Sequence, residues 1–310
     1  MPLLFGTEDG VYRAPAVRFE NATQVIDAGR VLRIRRFEGM DGAFACSKTG
    51  LYRSTDGGTT WSELGVPREE VYSVCASPDG ERLYAGTHPA HLYVSDDDAG
   101  SWRELDGFQE LPSREEWHTP RHRNEAHVRC LDIHPDAPDR IVAGVEVGGV
   151  HVSEDRGETW TERRTGLQDD VHHVLVRGPE AYVASCGDGL YRTRDAGRSW
   201  TRLDEGLSHR YFREAIEHDG RLYAAAARSS PGTWKGESGA DGALFVSEND
   251  GETFESVSYP GRPHEVVLAW TVVDGTVVAG TNDGRVLRET DDGWETSGEL
   301  PTGIRSLCSV

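Results

Sequence analysis

The sequence predicts one seven-bladed β-propeller covering residues 1–310. Two observations predict it. First, apolar segments that end near a large side chain, here called the anchor, recur about every forty residues, apart from two longer gaps. Second, another set of apolar segments, each ending in a turn, recurs with the same period. A period near forty with about four short strands per unit is typical of propeller blades. The seven anchors are Tyr12, Tyr52, Tyr93, His151, Tyr191, Phe245 and Leu287. The second set covers residues 31–39, 71–80, 128–136, 171–180, 212–220, 267–275 and 304–310.

The two ends of the sequence are out of phase with this repeat. The sequence starts at the second strand of a unit and finishes on a first strand, residues 304–310. We expect this last strand to complete the blade that residues 3–20 open. Such pairing closes the ring without a covalent link and removes the free sheet edges.

A polar motif follows the third strand of most units. It reads STDGGTTW at 54–61, SDDDAGSW at 95–102, SEDRGETW at 153–160, TRDAGRSW at 193–200 and SENDGETF at 247–254, with a shortened ETDDGW at 289–294. Acidic or amide side chains in the turn are expected to accept backbone hydrogen bonds, glycines supply positive φ, and the closing aromatics pack on a neighbour. These residues are Asp56, Asp97, Asp155, Asp195 and Asn249, with Gly58, Gly157, Gly197 and Gly251, and Trp61, Trp102, Trp160, Trp200 and Phe254. The motif is therefore predicted to be structural; the alternative of a calcium loop lacks the alternating ligands and closing Glu of an EF-hand.

The composition is strongly acidic. The formal net charge is −20, with 53 acidic and 33 basic residues, and only Lys48 and Lys235 are lysines. Acid-rich, lysine-poor surfaces resemble those of proteins from salt-loving microbes, where carboxylates keep the surface hydrated and salt screens their repulsion; an ordinary acidic surface is the alternative. The sign of the charge disfavours a nucleic-acid partner.

The cellular compartment and the oligomeric state are inferred from the signals that the sequence lacks. The first residues lack a basic segment and a long apolar core, which argues against a signal peptide, and no run of eighteen apolar residues predicts a membrane span. Five cysteines, an odd number without a CxxC pair, are expected to be buried and reduced. We therefore expect a cytoplasmic monomer without a membrane partner.

Strand direction sorts the loops into two faces. Motif loops and the turns between first and second strands share one face, the bottom; loops between second and third strands, and between blades, form the top face. Both insertions, at about 105–127 and 227–243, fall on the top face, and insertions on one face of a repeat protein often mark its binding face. Nine of the twelve histidines are assigned there: His88, His91, His118, His122, His127, His172, His173, His209 and His264. Trp117 and Trp234, one in each insertion, are either stacking platforms for sugars or bases, or anchors that pack their own loops.

Aligning the inner strands by their closing turns places one residue of each at the top of the central channel. These residues are Leu32, Tyr72, Arg129, His172, Arg213, Leu268 and Arg305. Three arginines converging in an acidic protein predict an anion site, because a guanidinium fork matches carboxylate or phosphate. In the alternative, these arginines pair with Asp169, Asp170, Glu214 or Glu125 and hold blades together.

Catalytic chemistry is a second possibility for the same face. Glycoside hydrolysis requires two carboxylates flanking the bond, and the top-face candidates are Glu125, Glu146, Asp170, Glu214 and Glu265. No cofactor is predicted, although a divalent metal held by loop histidines is an alternative, with His118, His122, His172 and His209 as candidates. Pro120 between His118 and His122 argues against a helical metal pair. Nucleophile-elbow, phosphate-loop and dinucleotide motifs are missing.

The repeated S-x-D-x-G-x-T-W motif resembles the Asp-box, or BNR repeat, of sialidases, xyloglucan-active glycoside hydrolases, sortilin-type receptors and the photosystem II assembly factor. The resemblance covers nearly the whole sequence. It implies a propeller whose boxes are structural and lie away from the ligand face. Arg129, Arg213 and Arg305 could imitate the arginine triad of sialidases, but those enzymes are typically six-bladed and carry an early Arg-Ile-Pro signature missing here. Xyloglucan-active enzymes use two facing propellers, and this sequence supplies one.

The sequence thus favours a propeller that binds an anionic small molecule, a glycan or a protein segment at the top-face mouth of its channel. The alternative is a hydrolase of a glycan or a similar ester that uses carboxylates or a histidine-bound metal in the same pocket.

Overall fold

Seven four-stranded antiparallel sheets are arranged as the blades of a ring in the computed structural model, which describes residues 1–15, 19–119 and 121–310. Blade 1 contains β28 (Ile304–Ser309), β1 (Leu3–Thr7), β2 (Val11–Ala14) and β3 (Thr23–Ile26). Blade 2 contains β4 (Val31–Phe37), β5 (Met40–Ser47), β6 (Gly50–Ser54) and β7 (Ser62–Glu63). Blade 3 contains β8 (Val71–Ala76), β9 (Leu83–Thr87), β10 (Leu92–Ser95) and β11 (Arg103–Glu104). Blade 4 contains β12 (His127–Asp132), β13 (Ile141–Glu146), β14 (Gly149–Ser153) and β15 (Thr161–Glu162).

The remaining three blades follow the same order. Blade 5 contains β16 (Val171–Val176), β17 (Tyr182–Cys186), β18 (Gly189–Thr193) and β19 (Thr201–Arg202). Blade 6 contains β20 (Tyr211–His218), β21 (Arg221–Ala227), β22 (Ala243–Ser247) and β23 (Glu255–Val257). Blade 7 contains β24 (Val267–Val273), β25 (Thr276–Thr281), β26 (Arg285–Thr290) and β27 (Gly293–Glu299). The predicted seven-bladed architecture is confirmed.

Five short 3₁₀ turns are the helical elements of the described residues. They cover Phe19–Asn21, Asp106–Phe108, Arg114–Glu116, His122–Asn124 and Pro231–Thr233. Consequently, no described helix has the length and apolar character needed to cross a membrane.

The ring closes where the last strand joins the first. β28 pairs antiparallel with β1, with Leu3 opposite Ser309 and Phe5 opposite Leu307, while β1 pairs with β2 on its other side. The predicted closure is therefore confirmed. Residues 16–18 of the segment 3–20 lie outside the described part of the chain.

Apolar residues of neighbouring blades form the core between the sheets. Leu4 and Val11 of blade 1, for example, pack with Val31 and Ile34 of blade 2. The closing Trp61 of the first box joins the same cluster, and its indole Nε1 donates to the Gly58 carbonyl at 3.2 Å. The closing aromatic of this box thus packs at the interface between two blades.

In each box the acidic or amide side chain accepts hydrogen bonds from residues of its own turn. Asp195 accepts the Thr193 hydroxyl at 2.6 Å, and from Ser199 it accepts both the backbone N–H at 2.9 Å and the hydroxyl at 2.6 Å. These donors, the Ser199 hydroxyl foremost, lower the pKa of Asp195 to about 2. Asn249 makes the equivalent contacts in the fifth box, where its amide Nδ2 donates to the Thr253 hydroxyl at 2.9 Å.

In four of the boxes the fifth residue is a glycine with positive φ, for example Gly157 at φ 97°. In the second box Ala99 takes this place at φ 67°, and its N–H donates to the Ser95 hydroxyl at 2.9 Å. The shortened motif at 289–294 differs, because Thr290 pairs directly with Gly293 in a tight hairpin between β26 and β27. It is therefore not a sixth box.

Asp195→Ala should lower the free energy of unfolding by about 1–3 kcal/mol, because donors to a charged acceptor lose their partner. Asp195→Asn should cost clearly less, since Asn249 already makes equivalent contacts in the fifth box. Urea unfolding followed by tryptophan fluorescence measures both variants. Equal losses for the two substitutions would contradict the hydrogen-bonding role of the side chain.

Candidate functional site

A β-bulge in the first strand of every blade builds the mouth of the channel. In β12, for example, Val128 pairs with Val145 and Cys130 pairs with Gly144, which leaves Arg129 as the extra residue. The corresponding bulges of the seven blades contain Arg305, Leu32, Tyr72, Arg129, His172, Arg213 with Glu214, and Leu268. Bulges re-aim side chains and are frequent next to functional sites. The seven residues aligned by sequence are therefore equivalent in the structure.

Most of these residues line one cavity. Its lining consists of Leu32, Arg33, Arg129, His172, Arg213, Glu214, Leu268 and Arg305. The free space is about 10 Å³, which is room for roughly one water molecule. Tyr72 does not line it: its ring lies 4.1 Å from the His127 ring, and its hydroxyl accepts a hydrogen bond from Lys48 at 2.5 Å.

Positive charge is concentrated and incompletely paired at this mouth. Arg129 Nε lies 3.5 Å from a Glu146 oxygen, and Arg305 pairs with Glu8. Arg213 donates to the Tyr211 hydroxyl at 3.1 Å, and within the described ranges no carboxylate reaches ion-pairing distance of its guanidinium. The pairings proposed from sequence with Asp169, Asp170, Glu214 or Glu125 do not form for these arginines.

The pKa shifts of the three guanidinium groups differ: burial and neighbouring arginines lower the pKa values of Arg129 and Arg305, whereas the pKa of Arg213 is raised, because Tyr211 and Glu146 outweigh the effect of its burial. Burial, followed by the charge of Arg213, lowers the pKa of Arg129. Burial also lowers the pKa of Arg305 to about 10; Glu8 opposes this effect, whereas Arg213 and Arg129 add to it. An anion at the mouth would reduce the repulsion between these guanidinium groups. Groups with perturbed pKa values are common at functional sites.

Ion pairs between non-neighbouring blades occupy the channel. Arg33 of blade 2 donates to Glu214 of blade 6 at 2.9 Å, and Arg35 of blade 2 reaches Asp132 of blade 4 at 3.2 Å. His173 Nε2 lies 3.7 Å from the same Glu214. The contacts of Arg33 and Arg35 connect blades across the channel. Sequence reasoning missed Arg33, whose only signal was its place directly after a bulge residue.

The five carboxylate candidates have different environments. Glu265 is fully buried and receives Arg285 Nε at 2.8 Å, so a substrate cannot reach it. Glu214 is paired with Arg33, and Glu125 is half-buried at the top face. Glu146 and Asp170 are the two that come together: each contributes an oxygen to a group in which, with a nitrogen of His172, all ligand atoms lie within 4.8 Å of one another.

Glu146 is held in its ionised form. Although burial raises its pKa, the neighbouring His127 and Arg129 bring the pKa of Glu146 well below the usual range. His127 Nε2 lies 3.3 Å from a Glu146 oxygen. This carboxylate therefore suits a role as a ligand or an electrostatic partner better than that of a general acid.

The histidines proposed as metal ligands are dispersed. His118 is exposed, His122 lies among His88 and His127, and His209 Nε2 is 3.9 Å from Asp241. Within residues 1–15, 19–119 and 121–310, the one clustered set of three metal-ligand atoms is Glu146, Asp170 and His172. The loop histidines named as the alternative metal ligands therefore do not come together, and the set that does retains only His172 of them. Pro120, the argument against a helical pair, lies outside the described residues.

The two insertion tryptophans are anchors of their loops. Trp117 is 3% exposed, packs against Phe108 and donates to the Ser113 hydroxyl at 2.9 Å. Trp234 is 6% exposed and donates to the Ser229 carbonyl at 2.7 Å. Because both rings are buried, neither offers an open face to a sugar or a base, and the anchoring alternative is the one that the structure supports.

Comparison with known proteins identifies the repeat and two groups of relatives. Residues 52–63 match the family described as BNR/Asp-box repeat. The photosystem II assembly lipoprotein Ycf48 of Synechococcus is 24% identical over 264 residues, which cover 82% of this chain and 71% of that protein. The oligoxyloglucan-reducing end-specific xyloglucanase of Emericella nidulans is 27% identical over 123 residues, 36% of this chain and 14% of the enzyme.

Solved structures agree on the fold. The GH74 xyloglucanase of Xanthomonas campestris superimposes with a TM-score of 0.74 at 14% identity, over 96% of this chain and 52% of that one. YCF48 bound to D1 peptide gives a TM-score of 0.60 at 17% identity, over 96% of this chain and 83% of that one. The chain thus spans about half of the bacterial xyloglucanase. It is a β-propeller with an Asp-box match, similar to xyloglucanases and to Ycf48 over the ranges given.

Proposed function

We propose that this Asp-box propeller binds a carboxylate-bearing segment of a partner protein at the channel mouth. The observation that carries the proposal is the convergence of Arg129, Arg213 and Arg305 on bulges of three blades, with Arg213 free of a carboxylate partner among the described residues. In a chain with a net charge of −20, a local cluster of guanidinium groups attracts an anion and can donate hydrogen bonds to it.

The size of the cavity favours a ligand that inserts a small charged group. About 10 Å³ of free space holds no sugar ring, whereas a single carboxylate at the rim can displace one water and accept from two guanidinium groups. The rest of such a ligand would lie on the top face. An extended peptide meets this requirement, because it offers Asp, Glu or terminal carboxylates on a chain that can follow the rim.

Similarity gives independent support to a protein ligand. Ycf48 matches this chain over 82% of its length, and a Ycf48 structure contains a bound D1 peptide. The xyloglucanase relatives, in contrast, match at most about half of their own length in the comparisons above. We therefore rank a peptide ahead of a glycan or an anionic metabolite as the ligand.

A hydrolase is the second candidate, and the proximity of Glu146 and Asp170 is the observation that favours it. Retaining glycosidases place two carboxyl groups about 5 Å apart, and here the two oxygens lie within 4.8 Å. The low pKa of Glu146 and the narrow mouth count against this candidate. Release of reducing sugar from xyloglucan oligosaccharides, lost in Glu146→Gln, would favour the hydrolase over the binding protein.

Peptides containing Asp and Glu should bind more tightly than the same sequences with Asn and Gln, because only carboxylates pair with the arginines. A fluorescence-polarisation screen of such matched pairs, in low and high potassium chloride, measures the difference. We expect the acidic members to lose affinity as salt rises. Equal binding of both members of every pair, or no binding, would contradict the proposal.

A further inference from the structure

We propose that Glu146, Asp170 and His172 form a binding site for a divalent transition-metal cation, with Mn²⁺ as the representative ion. The site lies at the top of the ring between two neighbouring blades. Glu146 ends β13 of blade 4, Asp170 immediately precedes β16 of blade 5, and His172 is the bulge residue of β16. The site adjoins the channel mouth and shares His172 with its lining, but the inference rests on different contacts from the proposed peptide binding and is tested without a peptide.

The hydrogen bonding of His172 leaves a lone pair directed into the site. Its Nδ1 lies 2.5 Å from the Phe212 carbonyl oxygen, which can only accept, so Nδ1 carries the proton. Nε2 of the neutral ring is then an acceptor, and it has no hydrogen-bond partner although the residue is 1% exposed. A histidine that donates one ring N–H to a backbone carbonyl and presents its other nitrogen is the usual arrangement of a metal ligand.

The other two atoms of the group also only accept. Asp170 Oδ1 lies 3.5 Å from His172 Nε2, and an oxygen of Glu146 completes the set within 4.8 Å. Three acceptors this close, one of them buried without a partner, are stabilised by a cation between them. Ligands that bind such metals at roughly 2.0–2.2 Å lie about 3.5 Å from one another, so the longest separation here, at most 4.8 Å, has to shorten by little more than about 1 Å.

The backbone permits the close approach of the Asp170 carboxylate. A Cβ on Gly187 would lie 2.1 Å from Asp170 Oδ2, so any larger residue there would displace this carboxylate. The Gly187 N–H also donates to the Asp170 carbonyl at 2.9 Å, which fixes the loop before β16. Glycine at this position therefore preserves the space in which the three ligand atoms meet.

The local charge is compatible with a dication. Two carboxylates supply the negative charge that balances the ion. Arg129 at 3.5 Å and His127 at 3.3 Å are the cationic or titratable contacts of Glu146. A single imidazole with two carboxylates suits Mn²⁺ or Zn²⁺ rather than Ca²⁺, because imidazole is a ligand of transition metals.

The test is isothermal titration of the EDTA-treated protein with Mn²⁺, comparing wild type, Asp170→Asn and Asp169→Asn. Asp170→Asn preserves size while removing a ligand charge, and Asp169, whose side chain is exposed, is the matched control. We expect one saturable site in wild type and Asp169→Asn, weakened more than about 100-fold in Asp170→Asn, since even outer-shell partners are worth 10- to 100-fold. Pulsed electron paramagnetic resonance should show one coordinated imidazole nitrogen, lost in His172→Gln.

Two results would overturn the proposal. One is the lack of saturable Mn²⁺ binding, which would mean that the three acceptor atoms do not hold an ion. The other is equal affinity in Asp170→Asn and Asp169→Asn, which would place the ion elsewhere. A melting temperature of Asp170→Asn without metal that equals that of wild type confirms that the variant is folded.

Discussion

Arg285→Met should lower the free energy of unfolding by about 3–5 kcal/mol, because it leaves a buried carboxylate without its partner. Glu265 is fully buried and Arg285 is 6% exposed, and Arg285 Nε donates to Glu265 at 2.8 Å. The Glu265 carboxylate also accepts the Arg262 N–H at 2.8 Å. This pair ties the loop before β24 to β26, so its role is structural and not catalytic.

The same strand supplies the matched control. Arg288 pairs with Glu295 at 2.7 Å, but both side chains are about half exposed, at 48% and 52%. Arg288→Met should therefore cost less than about 1 kcal/mol. Urea unfolding at neutral pH measures both variants. A loss for Arg285→Met no larger than that for Arg288→Met would refute the buried pair as a stabilising contact.

Acidification below pH 6.5 should destabilise the protein before its carboxylates are protonated. Burial lowers the pKa of His151 to about 3, whereas an unfolded histidine titrates near pH 6.5. Between these values the unfolded state binds the proton and the folded state does not. The contribution of His151 to the free energy of unfolding is therefore fully present above pH 6.5. It falls by about 1.4 kcal/mol per pH unit as the pH drops towards 3.

His151→Phe isolates this contribution. Phe245 occupies the equivalent anchor position in blade 6, so a phenyl ring fits the repeat at this place. Unfolding free energies at pH 7, 6 and 5 should show a slope smaller by about 1.4 kcal/mol per pH unit in the variant. The effect is separate from the boxes, where the pKa of Asp195 is already about 2. An unchanged slope would mean that His151 is protonated in the folded state.

The fold was predictable because its signals are local and repeated. Alternating apolar segments and turn residues define each blade, and the phase of residues 304–310 reveals the closure onto β1. Alignment of the closing turns even located the bulge residues of the channel mouth. In the second box, by contrast, Ala99 takes the positive φ that glycine supplies elsewhere. The residue type alone gave no sign of this.

The candidate site was predictable only in part, because its contacts join distant segments. Arg33 meets Glu214 across the channel, 181 residues away in sequence. The association of Glu146 with Asp170 and His172 depends on the packing of two blades, and the sequence offered five carboxylates without showing which two meet. Burial decided the role of Trp117, for which the sequence left two alternatives.

The most direct test of the proposed function is the affinity of the best acidic peptide for Arg213→Gln compared with Arg194→Gln. Arg213 lines the mouth, whereas Arg194 lies in a box on the bottom face and pairs with Asp250. Loss of a charge-assisted contact at the mouth should weaken binding about 10- to 100-fold, while the bottom-face variant should bind like wild type. Unchanged affinity in Arg213→Gln would contradict binding at the arginine-lined mouth.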